Sequence, residues 1–429
     1  MSPPEKRSTN TNSNDDDGED NGGDGAAALP EDQVFELLTR VPLDDLAACR
    51  AVSTRWRRIT YEPAFAPLHC RRAAAVSGYF VQSMVRNRYV ADFVSMHATP
   101  PSPSPPTPAI SLDFLPSPHV RLEAVAARRG LACCVAADTL RRPCYYVCKP
   151  ATRQWRALPN PRVRFRTAAT AMAAARPSAS GGGAGGAAVE FKIVRLSIVP
   201  ALRDRLRCEV FDSRRFAWRR AADVTLCPES LDPSAPAVRA HGAAHWLRWP
   251  DRDTRAQDVF ALDLRSEAWR LIPLPREVEE RDDPWARKQI SAVEGSLCLL
   301  VTTTEAAAAM GEEVLEVWEM AGYAEGRWEK KMTVNLKSMY EQEGNAVILQ
   351  HLHSPDVAFL DTFCRVMWYD FSRGKMAEVE VKNHICVREV FKFESDLIPC
   401  EFGKARHPPP ARTPSNSKEV QKGGDYCMF

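Results

Sequence analysis

Hydrophobic residues follow a helical period directly after a polar N-terminal stretch. Val34, Leu37, Leu38 and Val41 recur at i, i+3, i+4 and i+7, which places them on one face of a helix. Pro42 ends that helix, because a proline disfavours the α conformation in the residue before it. The pattern predicts a short helix with one apolar side.

Two further short helices are predicted after Pro42. The first carries Leu46 and Cys49 on its inner face. Ser53 suits the N-cap of the second, because its hydroxyl can accept a backbone N–H of the first turn. Trp56 and Ile59 lie three residues apart on the inner face of that helix.

A fourth helix is predicted to open at Pro63 and to carry Phe65 and Leu68, with Pro67 keeping it short. A bundle of about 45 residues buries too little surface to be stable on its own. It contains no metal-ligand set and no paired cysteines, so a partner protein is the expected support. Packing of the helices on the downstream domain is the alternative.

The segment LPEDQVFELLTRVPLDDLAACRAVSTRWRRITYEPAFAPLH resembles an F-box. Departures from that motif are Thr39, where the family often has serine, and Pro67. Positions that match the family pattern are Leu29 with Pro30, Pro42, Leu46, Cys49, Val52 with Ser53, and Trp56. The resemblance implies binding to the small Skp-family linker subunit of an SCF-type ubiquitin ligase and, through it, to a cullin.

Twelve residues are predicted to serve that interface. Those predicted to contact the linker subunit are Leu29, Pro30, Val34, Leu37, Leu38, Val41, Pro42 and Leu46. Those predicted to be shared between the bundle core and the interface are Cys49, Val52, Trp56 and Ile59.

The same helices carry Arg55, Arg57 and Arg58, so a helix-turn-helix DNA module is a rival interpretation. Trp56 and Ile59 alternate with these arginines as a core face alternates with a solvated one. The 57 basic and 55 acidic side chains give a net charge of +2, which provides no overall attraction to nucleic acid or anionic membranes. We expect neither as a partner.

After residue 76 the pattern becomes strand-like, and one phrase recurs: an apolar strand, a polar turn and a bulky residue on the return strand. Its members are Asp212 with Trp218, Asp263 with Trp269, Asp370 with Met376, and the phrases that end at Trp155 and Trp328. A glycine before an apolar strand precedes several of these phrases, at Gly130, Gly242 and Gly295. Two hairpins per unit of about 50–60 residues predict four-stranded blades and hence a β-propeller, with the blade count open.

Phrases such as SLDFLP, RGLACCV, CKPATRQWRALP and LRSEAWRLIPLP resemble the F-box-associated, kelch-like region of the large plant F-box families. Relatives in those families bind different targets, so the resemblance implies no particular one. The predicted fold class is α+β multidomain, a small N-terminal all-α F-box helical module followed by an all-β propeller-like domain. The predicted boundaries are a disordered tail at 1–27, the helical module at 28–73, the propeller at 76–402 and a disordered tail at 403–429.

Two insertions interrupt the strand pattern. The proline-rich segment from Pro100 to Pro108 is expected to be a stiff surface loop, and the glycine-rich one ending near Ala188 a flexible loop. The glycine-rich segment does not end in Gly-Lys-Ser/Thr, so it predicts no phosphate-binding loop.

Two histidine pairs invite a metal-site interpretation. His241 and His245 are predicted to lie on a strand, where four residues span about 13 Å, too far to share an ion. His351 and His353 share a face but have no evident third ligand. We therefore expect no metal and no cofactor.

The cysteines predict no zinc site. Cys133, Cys134, Cys144 and Cys148 form no C-x-x-C pair and lie in strand-like runs. The 13 cysteines of the chain are scattered, which favours free thiols in a reducing compartment, cytoplasmic or nuclear.

We expect a non-catalytic adaptor: the helices hold the ligase and the propeller selects a target protein. A non-degradative scaffold that uses the same helices is a second hypothesis. A propeller that binds glycan or carries catalysis is a third, which an aromatic-plus-carboxylate cluster at the channel mouth would favour. The target-binding loops are not predicted.

Overall fold

A computed structural model supplies the architecture of most of the chain. It describes residues 29–62, 64–73, 75–95, 110–137, 143–162, 165–175, 189–251, 256–281, 283, 286–304, 313–343, 347–361, 365–379 and 387–402. The proline-rich segment, the glycine-rich loop and both predicted tails lie outside these residues. Within them, no helix has the length and apolar character that crossing a membrane requires.

Four short helices precede the first strand: α1 Glu31–Leu38, α2 Leu43–Val52, α3 Thr54–Thr60 and α4 Phe65–Arg72. Ser53 caps α3 as predicted, because its Oγ accepts the N–H of Trp56 at 3.1 Å. Helix α1 ends before Val41, contrary to the predicted stripe. The N–H groups of Arg40 and Val41 bond to carbonyls three residues back, which tightens the chain into a turn.

The helices share one small apolar core. Its fully buried members are Val34, Leu38, Leu46, Ile59 and Phe65. Phe35 and Phe65 meet edge-to-face at 5.7 Å, and Val41, Cys49 and Trp56 pack at the margin. The core is therefore built from one or two side chains of each helix.

The remaining regular structure is almost entirely antiparallel strands. Two further helices interrupt them, α5 Arg276–Glu279 and α6 Lys337–Glu343. The strands are β1 Ala75–Val85, β2 Arg88–Ser95, β3 Arg121–Ala126, β4 Leu131–Ala137, β5 Pro143–Lys149, β6 Gln154–Leu158, β7 Thr167–Ala175, β8 Glu190–Ser197, β9 Arg207–Asp212, β10 Ala217–Arg220, β11 Val238–Ala240, β12 Ala243–Leu247, β13 Asp258–Asp263, β14 Trp269–Pro273, β15 Arg287–Val293, β16 Ser296–Thr304, β17 Glu313–Gly322, β18 Arg327–Asn335, β19 Ile348–Leu352, β20 Val357–Asp361, β21 Val366–Asp370, β22 Lys375–Val379 and β23 Val387–Asp396.

The strands form six sheets, which are the blades of a propeller. Blade I is β23-β1-β2, and blades II to VI are β3 to β6, β7 to β10, β11 to β14, β15 to β18 and β19 to β22. The first strands of the blades lie next to one another, β3 beside β7 and β23, and β15 beside β11 and β19. The propeller prediction is confirmed, and the blade count is six.

The recurring phrase is the hairpin between the third and fourth strands of a blade. Oδ1 of Asp212, Asp263 and Asp370 accepts the backbone N–H two residues on, at 2.9, 2.7 and 3.0 Å. The bulky residue that follows is on the fourth strand. Trp218 is buried, but Trp155 and Trp269 are 42 and 36 % exposed, so the bulky residue packs into the sheet in some blades and not in others.

The recurring glycine lies in the turn between the first and second strands. Gly130 has φ +59°, a conformation that strains any other L-residue. A Cβ there would lie 2.0 Å from Oγ of Ser395, so this turn of blade II is pressed against the end of β23. The glycine signal thus marks both a left-handed turn and a close contact between blades.

The C-terminal strand closes the ring. β23 pairs with β1 in an antiparallel register from Ala75 opposite Asp396. Lys149 of blade II forms a buried ion pair with Asp396 and also donates to the carbonyl of Ile398 at 2.6 Å. Strands from opposite ends of the chain therefore build blade I, and the segment after β23 binds it to blade II.

Candidate functional site

The twelve residues predicted for the ligase interface fall into three groups. Leu29, Leu37 and Val52 are 44, 55 and 65 % exposed, and Pro30 and Pro42 are exposed as well. Val34, Leu38, Leu46 and Ile59 are buried in the core of the bundle. Val41, Cys49 and Trp56 are half-buried around that core.

The interface roles of the twelve residues remain predictions, and this division bears on five of them. Val34, Leu38, Leu46 and Ile59 are buried in the folded bundle and present almost no surface to a partner, because so small a core uses every large apolar side chain that points inward. Val52 was predicted to be shared with the core but faces solvent. The exposed apolar set is therefore Leu29, Pro30, Leu37, Pro42 and Val52.

The arginines that suggested a DNA module are engaged within the protein. Arg55 donates to the carbonyl of Leu29 at 2.9 Å, and Arg58 pairs with Glu31 at 2.7 Å. These contacts fix α3 to the start of α1. Arg57 points the other way, to the propeller.

Helix α3 meets blade V at the turn between β15 and β16. Arg57 forms an ion pair with Glu294 of that turn, whose carboxylate also hydrogen-bonds the hydroxyl of Tyr61. Burial raises the pKa of Tyr61, with a further rise from the Glu294 carboxylate, so the hydroxyl stays protonated. No pattern in the sequence indicates this junction, because its partners are distant in the chain.

Helix α4 meets blade I. It ends at Arg72, and β1 begins at Ala75. The backbone of Ser77 hydrogen-bonds the Cys70 thiol, and burial raises the pKa of that thiol to about 12. Since blade VI lies between blades V and I, the bundle reaches across one side of the ring.

The two ends of the propeller are consequently different. The turn at Glu294 and the start of β1 lie at the end where the first strand of a blade joins the second; we call this end the helix side. The opposite end, the free rim, consists of the connections between second and third strands and between blades. Its described parts include 86–87, 119–120, 159–162, 165–166, 198–206, 221–237, 248–251, 256–257 and 274–281.

Two large aromatic side chains are exposed on the free rim at blades III and IV. Phe165 is 45 % and Trp249 56 % exposed. The N–H of Trp249 bonds to the carbonyl of Ser230 at 2.8 Å, and the carbonyl of Phe165 accepts from Arg195 at 2.5 Å. Both residues therefore stand on connections that are held in place by hydrogen bonds, as aromatic anchors of protein interfaces are.

The histidine pairs pack around tyrosines. His241 lies in the turn before β12 and not on a strand as predicted; it stacks on Tyr323 at 4.4 Å. Nε2 of His245 lies 2.9 Å from the Tyr323 hydroxyl, so the two histidines do approach one side chain. His351 and His353 flank Tyr79 in the same manner.

These histidine rings are part of the packing of the blades. Burial lowers the pKa of His245 and of His351 to about 4, so both rings are neutral near pH 7. Across the described part of the chain, no three histidine, cysteine or acidic side chains are grouped so as to hold an ion. The geometry supports a packing role for these rings.

The four cysteines of blade II are free thiols. Cys133, Cys134 and Cys148 are buried and Cys144 is half-buried. Burial raises the pKa of Cys133, and the Cys148 thiol together with burial raises that of Cys134. Such thiols stay protonated and have little nucleophilic character.

Comparison with known proteins gives one family. A family model described as F-box protein At3g26010-like, beta-propeller, matches residues 83–360. F-box protein At5g49610 of Arabidopsis thaliana is 23 % identical over 389 residues, which cover 87 % of this chain and 98 % of that protein. F-box/LRR-repeat protein At2g43260 of Arabidopsis thaliana is 24 % identical over 412 residues, 91 % of this chain and 86 % of that protein.

One solved structure that is similar is TolB from Acinetobacter baumannii, at 9 % identity and a TM-score of 0.37. The match covers 75 % of this chain and 66 % of TolB. A TM-score this low carries no argument about the present chain.

Proposed function

Because the chain belongs to the F-box protein At3g26010-like β-propeller family, we propose that it is the substrate-recognition adaptor of an SCF-type ubiquitin ligase. In this proposal the helices α1 to α4 are the F-box and bind the Skp-family linker subunit, which in turn holds a cullin. The propeller, which resembles the kelch-like region of plant F-box proteins, binds the target protein. The chain makes and breaks no bonds, and it works in the cytoplasm or the nucleus.

The exposed apolar set carries the proposal. Leu29, Leu37 and Val52 present large apolar side chains on a bundle whose inward-facing residues already form a complete core. Several large exposed apolar side chains on so small a bundle favour a protein interface. The hydrogen bond of Arg55 to Leu29 and the ion pair of Arg58 with Glu31 hold the helices in place before any partner binds, which lowers the entropy that binding must overcome.

In this proposal one end of the propeller holds the ligase and the other binds the target. The helix side carries the bundle and hence the ligase, so the free rim is left for the target. Phe165 and Trp249 are the candidate anchors there. A target held on this rim has a high effective concentration near the ubiquitin-loaded enzyme, and this proximity is the adaptor's contribution to the reaction.

A pull-down with the purified linker subunit tests the proposed binding of helices α1 to α4 to that subunit. We compare the intact chain with a Leu29→Ala, Leu37→Ala, Val52→Ala triple variant, which removes exposed side chains and leaves the core intact. We expect capture by the intact chain and at least about tenfold weaker capture by the triple variant, as several interface anchors are lost together. Trp249→Ala is the matched control, because it removes an exposed aromatic from the other end of the propeller.

Equal capture of the intact chain and the triple variant would contradict the proposed docking surface. If neither the intact chain nor any variant is captured, and circular dichroism shows that all of them are folded, the adaptor function itself is contradicted. Val34→Ala is unsuitable for this test because Val34 is buried, and its truncation is expected to loosen the bundle.

A further inference from the structure

A cavity occupies the channel between the first strands of the blades. Its empty volume is about 680 Å³, open space at the mouth included. Most of its wall is apolar and comes from strands of several blades: Ala124, Val125, Met172, Val238, Leu352 and Phe391. A wall of this kind suits the hydrocarbon part of a small ligand.

Two basic side chains, Arg239 and Lys392, line the same cavity. Nη1 of Arg239 is buried and has no hydrogen-bond partner in the described part of the chain. Asp263 acts on Arg239 electrostatically, but its Oδ1 already accepts backbone N–H groups of its own turn. Lys392 forms an ion pair with Glu394, at 3.7 Å.

The other polar groups that line the cavity do not neutralise Arg239. His351 uses both ring nitrogens, Nδ1 at 3.4 Å from Oγ of Ser291 and Nε2 at 3.2 Å from the carbonyl of Val390. The hydroxyl of Tyr79 pairs with His353 at 3.3 Å. No carboxylate is among the described residues that line the cavity.

A buried N–H group of a guanidinium without a hydrogen-bond acceptor is costly. Desolvation disfavours its charged form, and here it lowers the pKa of Arg239. An arginine cannot lose its proton to escape this cost, so the group demands an anion or solvent. The cavity next to it offers the space for one.

We propose that this cavity binds a small organic acid, its carboxylate on the guanidinium of Arg239 and its apolar body against Met172 and Phe391. The planar fork of arginine matches the two oxygens of a carboxylate, and Lys392 adds a second positive charge. Pro236 and Ala237, which also line the cavity, belong to the free-rim connection before β11, so the ligand enters from that end. The proposal depends on the propeller alone, and not on the ligase interface.

Thermal unfolding of the full chain in benzoate tests this site. Benzoate is the probe, benzamide is its neutral isostere, and inorganic phosphate is an anion without an apolar body, all at matched ionic strength. A ligand that binds only the folded state raises its melting temperature in a concentration-dependent way. We expect a saturable rise with benzoate and none with benzamide or phosphate.

Variants of Arg239 test whether the rise in melting temperature with benzoate comes from binding at this residue. Arg239→Met is expected to abolish the benzoate shift and to leave the ligand-free melting temperature unchanged or raised, because it removes an unpaired buried charge. Arg203→Met is the matched control: Arg203 is exposed on the free rim, and its loss should leave the shift as it is. If Arg239→Met does not fold, Arg239→Lys replaces it as the test. Benzoate should bind this variant at least about tenfold more weakly, because lysine cannot form the two parallel hydrogen bonds of a guanidinium.

Four results would overturn the proposal: no benzoate shift, an equal shift with benzamide, a shift with phosphate alone, or a shift that the Arg239 variants retain. None of these results affects the pull-down with the linker subunit, which tests only the binding of helices α1 to α4. A failure of the anion site and a failure of the adaptor function are therefore distinguishable.

Discussion

Removal of the Asp396 carboxylate should destabilise the closed ring far more than removal of its partner, Lys149. The Lys149 side chain is 5 % exposed, while that of Asp396 is 25 % exposed. In Asp396→Asn the ammonium group stays buried and keeps only the carbonyl of Ile398 at 2.6 Å as a strong acceptor. The pair joins blade II to the C-terminal strand of blade I, so its loss acts on ring closure.

The magnitudes follow from burial. Removing one partner of a buried ion pair costs about 3–5 kcal/mol, and we expect about 3 kcal/mol for Asp396→Asn because the amide oxygen still accepts a hydrogen bond. In Lys149→Met the remaining carboxylate is partly hydrated and accepts the N–H of Ile398 at 3.1 Å, so the expected loss is about 1 kcal/mol. The double variant should cost less than the sum of the two, because the isolated buried charge is gone.

Urea unfolding followed by tryptophan fluorescence measures these differences in the free energy of unfolding. Asp204→Asn is the control, since Asp204 forms a surface pair with Arg205 in which both side chains are largely exposed. Its change should stay within about 0.5 kcal/mol. Equal losses in Asp396→Asn and Lys149→Met, or a larger loss in Lys149→Met, would refute the argument from burial.

Three further predictions concern the helices, the blade turns and the channel. Leu38→Ala should lower the free energy of unfolding of the bundle by about 2–5 kcal/mol and Leu37→Ala by less than about 1 kcal/mol, measured by hydrogen exchange of α1 to α3, because only Leu38 is buried. Gly130→Ala should lower the melting temperature more than Gly242→Ala, since both have positive φ but only the first Cβ meets another residue; equal shifts would contradict the contact. The pKa of His351 is lowered to about 4, so unfolded chains bind its proton first and stability falls as pH falls from about 6.5 towards 4. In this window His351→Gln should show a shallower slope of unfolding free energy against pH, by at most about 1.4 kcal/mol per unit, and an unchanged slope would refute the assignment.

Local hydrogen-bond chemistry explains what the sequence predicted well. The cap at Ser53 and the turns at Asp263 and Gly130 each depend on atoms two or three residues apart. Such features recur wherever the local sequence recurs, so they indicated the hairpins and hence the blades. They contain nothing about how many blades close a ring, which depends on the pairing of β23 with β1 at the other end of the chain.

Packing against distant segments explains what could not be predicted from the sequence. Leu37 and Leu38 fit the same apolar stripe in the sequence, and only the positions of the other helices decide that one is exposed and the other buried. The contact of Arg57 with Glu294 joins a helix to a turn of blade V. The missing partner of Arg239 can be recognised only when the whole wall of the channel is assembled.

The join between the helices and the propeller has a consequence for ubiquitin transfer under the proposed function. Only two residues separate α4 from β1, so Arg72 and Ala75 can be at most about 11 Å apart and the bundle cannot move far from blade I. The contact of Arg57 and Tyr61 with Glu294 is a second attachment, at blade V. The ion pair alone is worth little because Arg57 is 42 % exposed, but the burial of Tyr61 adds apolar contact at the same place. Two separate attachments prevent rotation about either one, so the distance from the ligase to the free rim is set by this interface and not by a flexible linker. The fixed distance restricts which surface lysines of a bound target can reach the ubiquitin-loaded enzyme.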